Sequence, residues 1–168
     1  MRRNSMADNV ITAEELMFYN FEPKTKNRFI MYAEGIPAFE IKTTDFPKVS
    51  SEINTLDHIN VKRYTKGKTE WDPINITLFD PIAPQASQSV IEWLRVAHES
   101  LTGRNGYSDF YKKDVTIFIL GPGGEKIGKW VLKGAWPSSI DWGSGDWSDG
   151  APVDISVTLR IDFAILQY

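Results

Sequence analysis

The side chains best suited by type to do chemistry lie in one stretch near the C-terminus. There Asp141, Asp146, Asp149 and Asp154 alternate with glycines and with Trp136, Trp142 and Trp147. Clustered aspartates can hold calcium or serve as the acid and base of glycoside cleavage, and tryptophans beside them can stack on sugar rings. The spacing misses the Asp-x-Asp-x-Asp-Gly calcium loop, and the tryptophans equally suit the end of a sheet or a subunit contact. Gly121-Pro122-Gly123-Gly124 would cradle phosphate only if it opened a helix. A strand-like run follows it instead, so a hairpin turn is expected. His58 and His98 are too far apart for local metal-ligand spacing, and the absence of cysteine removes thiolate sites, disulfides and a thiol nucleophile. These patterns predict no catalytic residue, no metal and no cofactor.

The chain that must carry these residues has 168 residues and a mass of 19.1 kDa, the size of one domain. With 42% hydrophobic and 24% charged residues it has the composition of a folded, soluble protein. Its net charge of −3 lacks the basic excess that a tight nucleic-acid binder needs to neutralise phosphates. The start, MRRNSMADN, has no apolar stretch behind its arginines, and no run approaches the ~20 apolar residues that span a bilayer. Folding in a cytosol without a membrane anchor is the expectation. Asn75-Ile76-Thr77 matches a glycosylation sequon but reads as part of a strand.

Residues 1–24 read as a polar N-terminal arm, with a short helix around Ala13 to Met17, ahead of a single domain over 25–168. Arg28 to Glu34 and Ala38 to Phe46, separated by Gly35-Ile36-Pro37, predict a hairpin. Residues 47–70 read as a long loop, mostly polar, with scattered Val49, Ile53, Leu56, Ile59 and Val61. Trp71 to Phe79 alternates like a strand, and Gln85 to Leu101 shows a helical stripe of Val90, Leu94, Ala97 and Leu101. A second hairpin is expected from Asp114 to Leu120 and Lys126 to Ala135. From Val153 to Ile165 every odd position is apolar, which predicts one strand of roughly 40 Å. Together these elements make a mainly β domain with one flanking helix.

Charge is segregated along the chain. Lys62, Arg63, Lys66 and Lys68 cluster in the 47–70 segment, whereas no Lys or Arg occurs from Gly134 through Leu159. Complementary patches of this kind suit self-association. The 47–70 segment is therefore expected to reach a second copy, burying Val49, Ile53, Leu56 and Ile59. Its lysines would seek acidic partners such as Asp141, Asp146 and Asp149. A monomeric carbohydrate-binding module with Trp136 to Trp147 as its platform is the competing expectation, and a glycosidase using paired aspartates is another.

The order of several segments resembles the tail tube proteins of contractile-tailed bacteriophages, which are related to the tubes of pyocins, extracellular injection systems and type VI secretion. The residues that carry the resemblance are Trp71-Asp72-Pro73-Ile74-Asn75-Ile76-Thr77-Leu78, Ile91-Glu92-Trp93-Leu94, Leu132-Lys133-Gly134-Ala135-Trp136-Pro137 and Val157-Thr158-Leu159-Arg160-Ile161-Asp162. The resemblance implies a two-sheet β-sandwich, barrel-like and ring-forming, with one flanking helix. It also implies a structural virion protein of the tail, assembled in the host cytoplasm. Hexameric rings would stack into a tube inside a contractile sheath, with viral DNA passing through during ejection. The implied partners are further copies of the chain, the sheath, baseplate and tail-terminator proteins, and DNA in transit. A phage-like protein-injection tube is the alternative setting. Because a conduit should not grip DNA, the lumen is expected to be polar, lined by Glu40, Lys42 and Thr44 and by Ser156, Thr158, Arg160 and Asp162. A one-residue slip would exchange these faces.

Overall fold

The structure is a computed structural model, described here for residues 22–83 and 85–168. The expected short helix near Ala13 and nearly all of the N-terminal arm lie outside the described residues. Two antiparallel sheets share one core. The first contains β1 (Phe29–Tyr32), β8 (Lys113–Leu120), the first half of β9 (Lys126–Asp141) and β11 (Phe163–Gln167). The second contains the other half of β9, then β10 (Asp154–Arg160), β5 (Ile74–Phe79) and β2 (Ile41–Thr44). Neither sheet closes into a barrel within the subunit, and the mainly β, sandwich-like fold expected from the sequence is what the chain adopts.

β9 belongs to both sheets because it bends at Gly134, whose φ of +65° lies in the left-handed region that glycine adopts without strain. A Cβ at Gly134 would collide with an Asp162 carboxylate oxygen. Asp162 marks the matching break between β10 and β11, and its N–H donates to the Lys133 carbonyl at 3.0 Å. The expected single C-terminal strand is therefore two strands. Ile155, Val157, Leu159 and Ile161 point into the core, but beyond Asp162 the odd positions Phe163 and Ile165 are exposed.

Inner rows such as Ile41–Leu78–Ile155 and Ile74–Leu159 form the core with Val115, Ile117 and Leu132 of the first sheet. Helix α1 (Ala86–Ala97) adds Ala86, Val90 and Trp93 at helical spacing. It ends four residues earlier than its apolar pattern suggests. His98–Glu99 (β6) pairs with Arg104–Asn105 (β7), Gly106 N–H donates to the Ala97 carbonyl, and Leu101 is left in solvent. A short turn of helix, α2 (Ser108–Tyr111), then packs on α1, with the Trp93 indole N–H donating to the Tyr111 carbonyl at 2.7 Å.

Two further sequence expectations are corrected. Residues 28–46 are not a hairpin: β1 and β2 join different sheets, because a 3-10 turn over Ala38–Glu40 redirects the chain after Pro37. Residues 47–70 are not a loop. They fold into a hairpin of β3 (Val49–His58) and β4 (Val61–Trp71), a separate two-stranded sheet. Ten residues at ~3.3 Å each give it a reach of roughly 33 Å.

Candidate functional site: an exposed arm and an acidic groove at opposite ends of one sheet

Every residue of β3 is exposed, and so is nearly all of β4. Strand pairing places Val49, Ile53, Tyr64 and Trp71 on one face and Leu56 and Val61 on the other, with a bulge near Gly67. An isolated two-stranded hairpin is at best marginally stable in water, and this one leaves apolar side chains on both faces uncovered. At its tip Ile59 is 97% exposed and has a φ of +39°. For a β-branched side chain that backbone conformation is strained. Lys62 and Arg63 lie just behind the tip on β4, Lys62 opposite Asp57, while Lys66 and Lys68 lie farther back on either side of Gly67, near Glu52.

The acidic residues fall elsewhere. After β9 the chain enters a loop in which Asp141, Asp146 and Asp149 each accept a backbone N–H two residues on. The Ser148 N–H and hydroxyl hold the Asp146 carboxyl below the usual carboxylate range. Gly143 to Asp154 line a groove of about 440 Å³ in which Ala151, Pro152 and Val153 supply apolar surface and Asp146, Asp149 and Asp154 supply charge. Among the described residues, no three histidine, aspartate or glutamate side chains converge as a metal site.

The tryptophans do not form one platform. Trp136 packs edge-on against Tyr111, Trp142 lines a cleft with Gln88 and Glu92 of α1, and Trp147 stands wholly in solvent. This scatter disfavours the sugar-binding alternative.

The polar outer face of the second sheet runs through Thr43–Thr77–Ser156 and Asn75–Thr158–Ser139, and the Thr158 hydroxyl donates to Asn75 at 2.9 Å. Ser156 and Thr158 are on this face, and Arg160, which pairs with Glu70 at the hairpin's base, continues it. Lys42 is exposed and pairs with Asp154. Asp162 is displaced from this set and accepts from Lys112 near the first sheet. A bulge after Ile41 puts Thr44 in the core-facing row of Ile76, so it does not share a face with Lys42. Glu40 is 1% exposed and sits in the 3-10 turn, and among the described residues neither of its carboxylate oxygens has a hydrogen-bond partner. Burial first, and the Asp80 carboxylate second, push its carboxyl above the usual range. Glu40 therefore cannot line a channel, and Thr44, half-buried, lies off the polar outer face. The sequence places Glu40 on an exposed polar face because an acid beside Phe39 gives no sign of burial.

Strand direction relates the arm to the groove. Along β5 and β10, Ile74 pairs with Leu159 at the end where the hairpin leaves, and Phe79 pairs with Asp154 at the end the acidic loop caps. Six residues of β5, roughly 20 Å, separate them.

No family model matches the chain, and no curated protein does. Solved structures share its fold over most of its length. A chain in the cryo-EM structure of the anti-feeding prophage tube-terminating cap superposes with a TM-score of 0.73 at 18% identity, covering 93% of this chain and 99% of that one. A chain of the sheath/tube terminator of the extracellular contractile injection system PVC, in its extended state, gives 0.67 at 22% identity over 89% and 100%. A chain of the PVC sheath–tube complex gives 0.64 at 21% identity over 86% and 91%.

Proposed function

We propose that this chain is a structural subunit of the inner tube, or of a ring ending the tube, in a contractile injection machine. The observation that carries the reading is the exposed hairpin. A roughly 33 Å arm that is anchored at its base by Trp71 and the Glu70–Arg160 pair, and that leaves apolar side chains on both faces exposed beyond it, is a connector between copies. The shared fold with chains of tube, cap and terminator assemblies supports it. In this reading six copies close into a ring, the rings stack end to end, and the sheath and baseplate surround the product. Ring closure would also cover the free edges of β1, β2 and β11.

The polar outer face around Thr77, Ser156 and Thr158 is the surface we assign to the lumen. Hydroxyls and amides with few net charges would pass a polyanion such as DNA, or a protein cargo, without holding it. A phage tail with DNA as cargo is the finer version of this reading, and a protein-injection tube is its counterpart. We assign the chain no catalytic role. Sedimentation velocity over a concentration series tests the proposal: growth from the 19.1 kDa monomer to rings and longer polymers supports it, and a monomer at every concentration overturns it.

A further inference from the structure

The geometry points to a specific landing place for the arm: the groove between Gly143 and Asp154 of a second copy receives the tip of the hairpin. This inference rests on the stacking reading and names the surface that reading leaves open. The two features do not meet within the subunit: they leave opposite ends of the same sheet, and Ile59 at the tip is 97% exposed. That arrangement makes the contact head-to-tail, the kind that propagates from copy to copy along the strand direction.

Their chemistry is complementary. Ile59, strained and fully exposed, offers an apolar knob, and Ala151, Pro152 and Val153 offer an apolar floor. Behind the knob stand Lys62 and Arg63, and around the floor stand Asp146, Asp149 and Asp154. No Lys or Arg within residues 135–158 offsets those carboxylates, although Lys42 reaches Asp154 from β2. Trp147, wholly exposed in the same loop, offers further apolar surface to a second copy. Apolar burial supplies most of the attraction in such a contact, while the charges select register and partner.

The test uses the full chain with reciprocal charge reversals, Lys62→Glu with Arg63→Glu on the tip and Asp146→Lys with Asp149→Lys on the groove. Each pair alone is expected to raise the concentration needed for polymerisation by about tenfold, since exposed ion pairs contribute ~0.2–1 kcal/mol each and repulsion replaces them. A chain carrying all four substitutions, or an equal mixture of the two reversed chains, is expected to polymerise near the parent concentration. All four positions are on the surface, and circular dichroism checks that each variant folds. Because the protein has no cysteine, Ile59→Cys with Pro152→Cys adds a direct readout. Disulfide-linked ladders should form on mild oxidation of assembled protein and not of dilute protein. Absent rescue together with absent ladders overturns the socket. If removal of residues 50–66 still blocks polymerisation in that case, stacking by the arm stands and only its landing place is wrong.

Discussion

Deletion of residues 50–66 separates folding from assembly. In the parent, Val49 pairs with Trp71, so the deletion leaves that pair closed by a short link through Gly67 and Glu70. The removed residues contribute no buried side chain to the core, and the melting temperature should stay within about 2 °C of the parent. Assembly should suffer heavily. Ile53, Leu56, Ile59, Val61 and Tyr64 are 54–97% exposed, and burying such a side chain fully is worth about 1.5–3 kcal/mol. Covering only half of that surface gives about 2.5–5 kcal/mol per copy, or roughly two to four orders of magnitude in the polymerisation threshold. Light scattering across a concentration series reads the threshold, with circular dichroism melts run on the same samples. A deletion variant that polymerises at the parent concentration would refute the reasoning, and one that melts far lower would show that the hairpin belongs to the fold.

Three further outcomes are expected. Glu40→Gln should be more stable than the parent at pH 8 by about 1–2 kcal/mol, because it removes a buried charge without a partner. The raised carboxyl gives the sign: the parent's stability is full below the ordinary value of 4.5 and falls as pH rises through the higher folded value, so the two proteins should converge in acid. Urea melts at several pH values check this, and a pH-independent difference would contradict it. Gly134→Ala should cost about 1–3 kcal/mol in the same assay, since it meets both a positive φ and the Asp162 carboxylate; an unchanged melt would mean that β9 does not need its bend. Ile59→Gly should relieve strain at the tip yet weaken polymerisation severalfold, and improved polymerisation would show that the side chain makes no contact between copies.

Parts of the fold were legible because one face of an element is wet and the other dry. Ile155, Val157 and Leu159 alternate against Ser156 and Thr158, and the β8–β9 hairpin announces itself through Gly121 to Gly124. The same logic explains the errors. β3 and β4 have solvent on both faces, so no alternation distinguishes them from a polar loop, even though their length and scattered apolar residues marked the segment as unusual. Alternation also ran through Asp162 without a break because exposed Phe163 and Ile165 continued it on the opposite face. Pro37 and Gly35 signalled a turn between β1 and β2, but a turn does not reveal that its strands enter different sheets. For the site, segregation of Lys62 to Lys68 from Asp141 to Asp154 was visible in one dimension. Their placement at opposite ends of a sheet required the register of β5 against β10.

The account turns on end-to-end association of this chain through its arm, and electron microscopy of the purified protein above its polymerisation threshold observes that directly. The account predicts rings stacked along an axis, with β3 and β4 of each copy crossing from its own ring into the acidic loop of the next. Rings or monomers in which the hairpin ends free in solvent, at concentrations where the chain is otherwise folded, would contradict it.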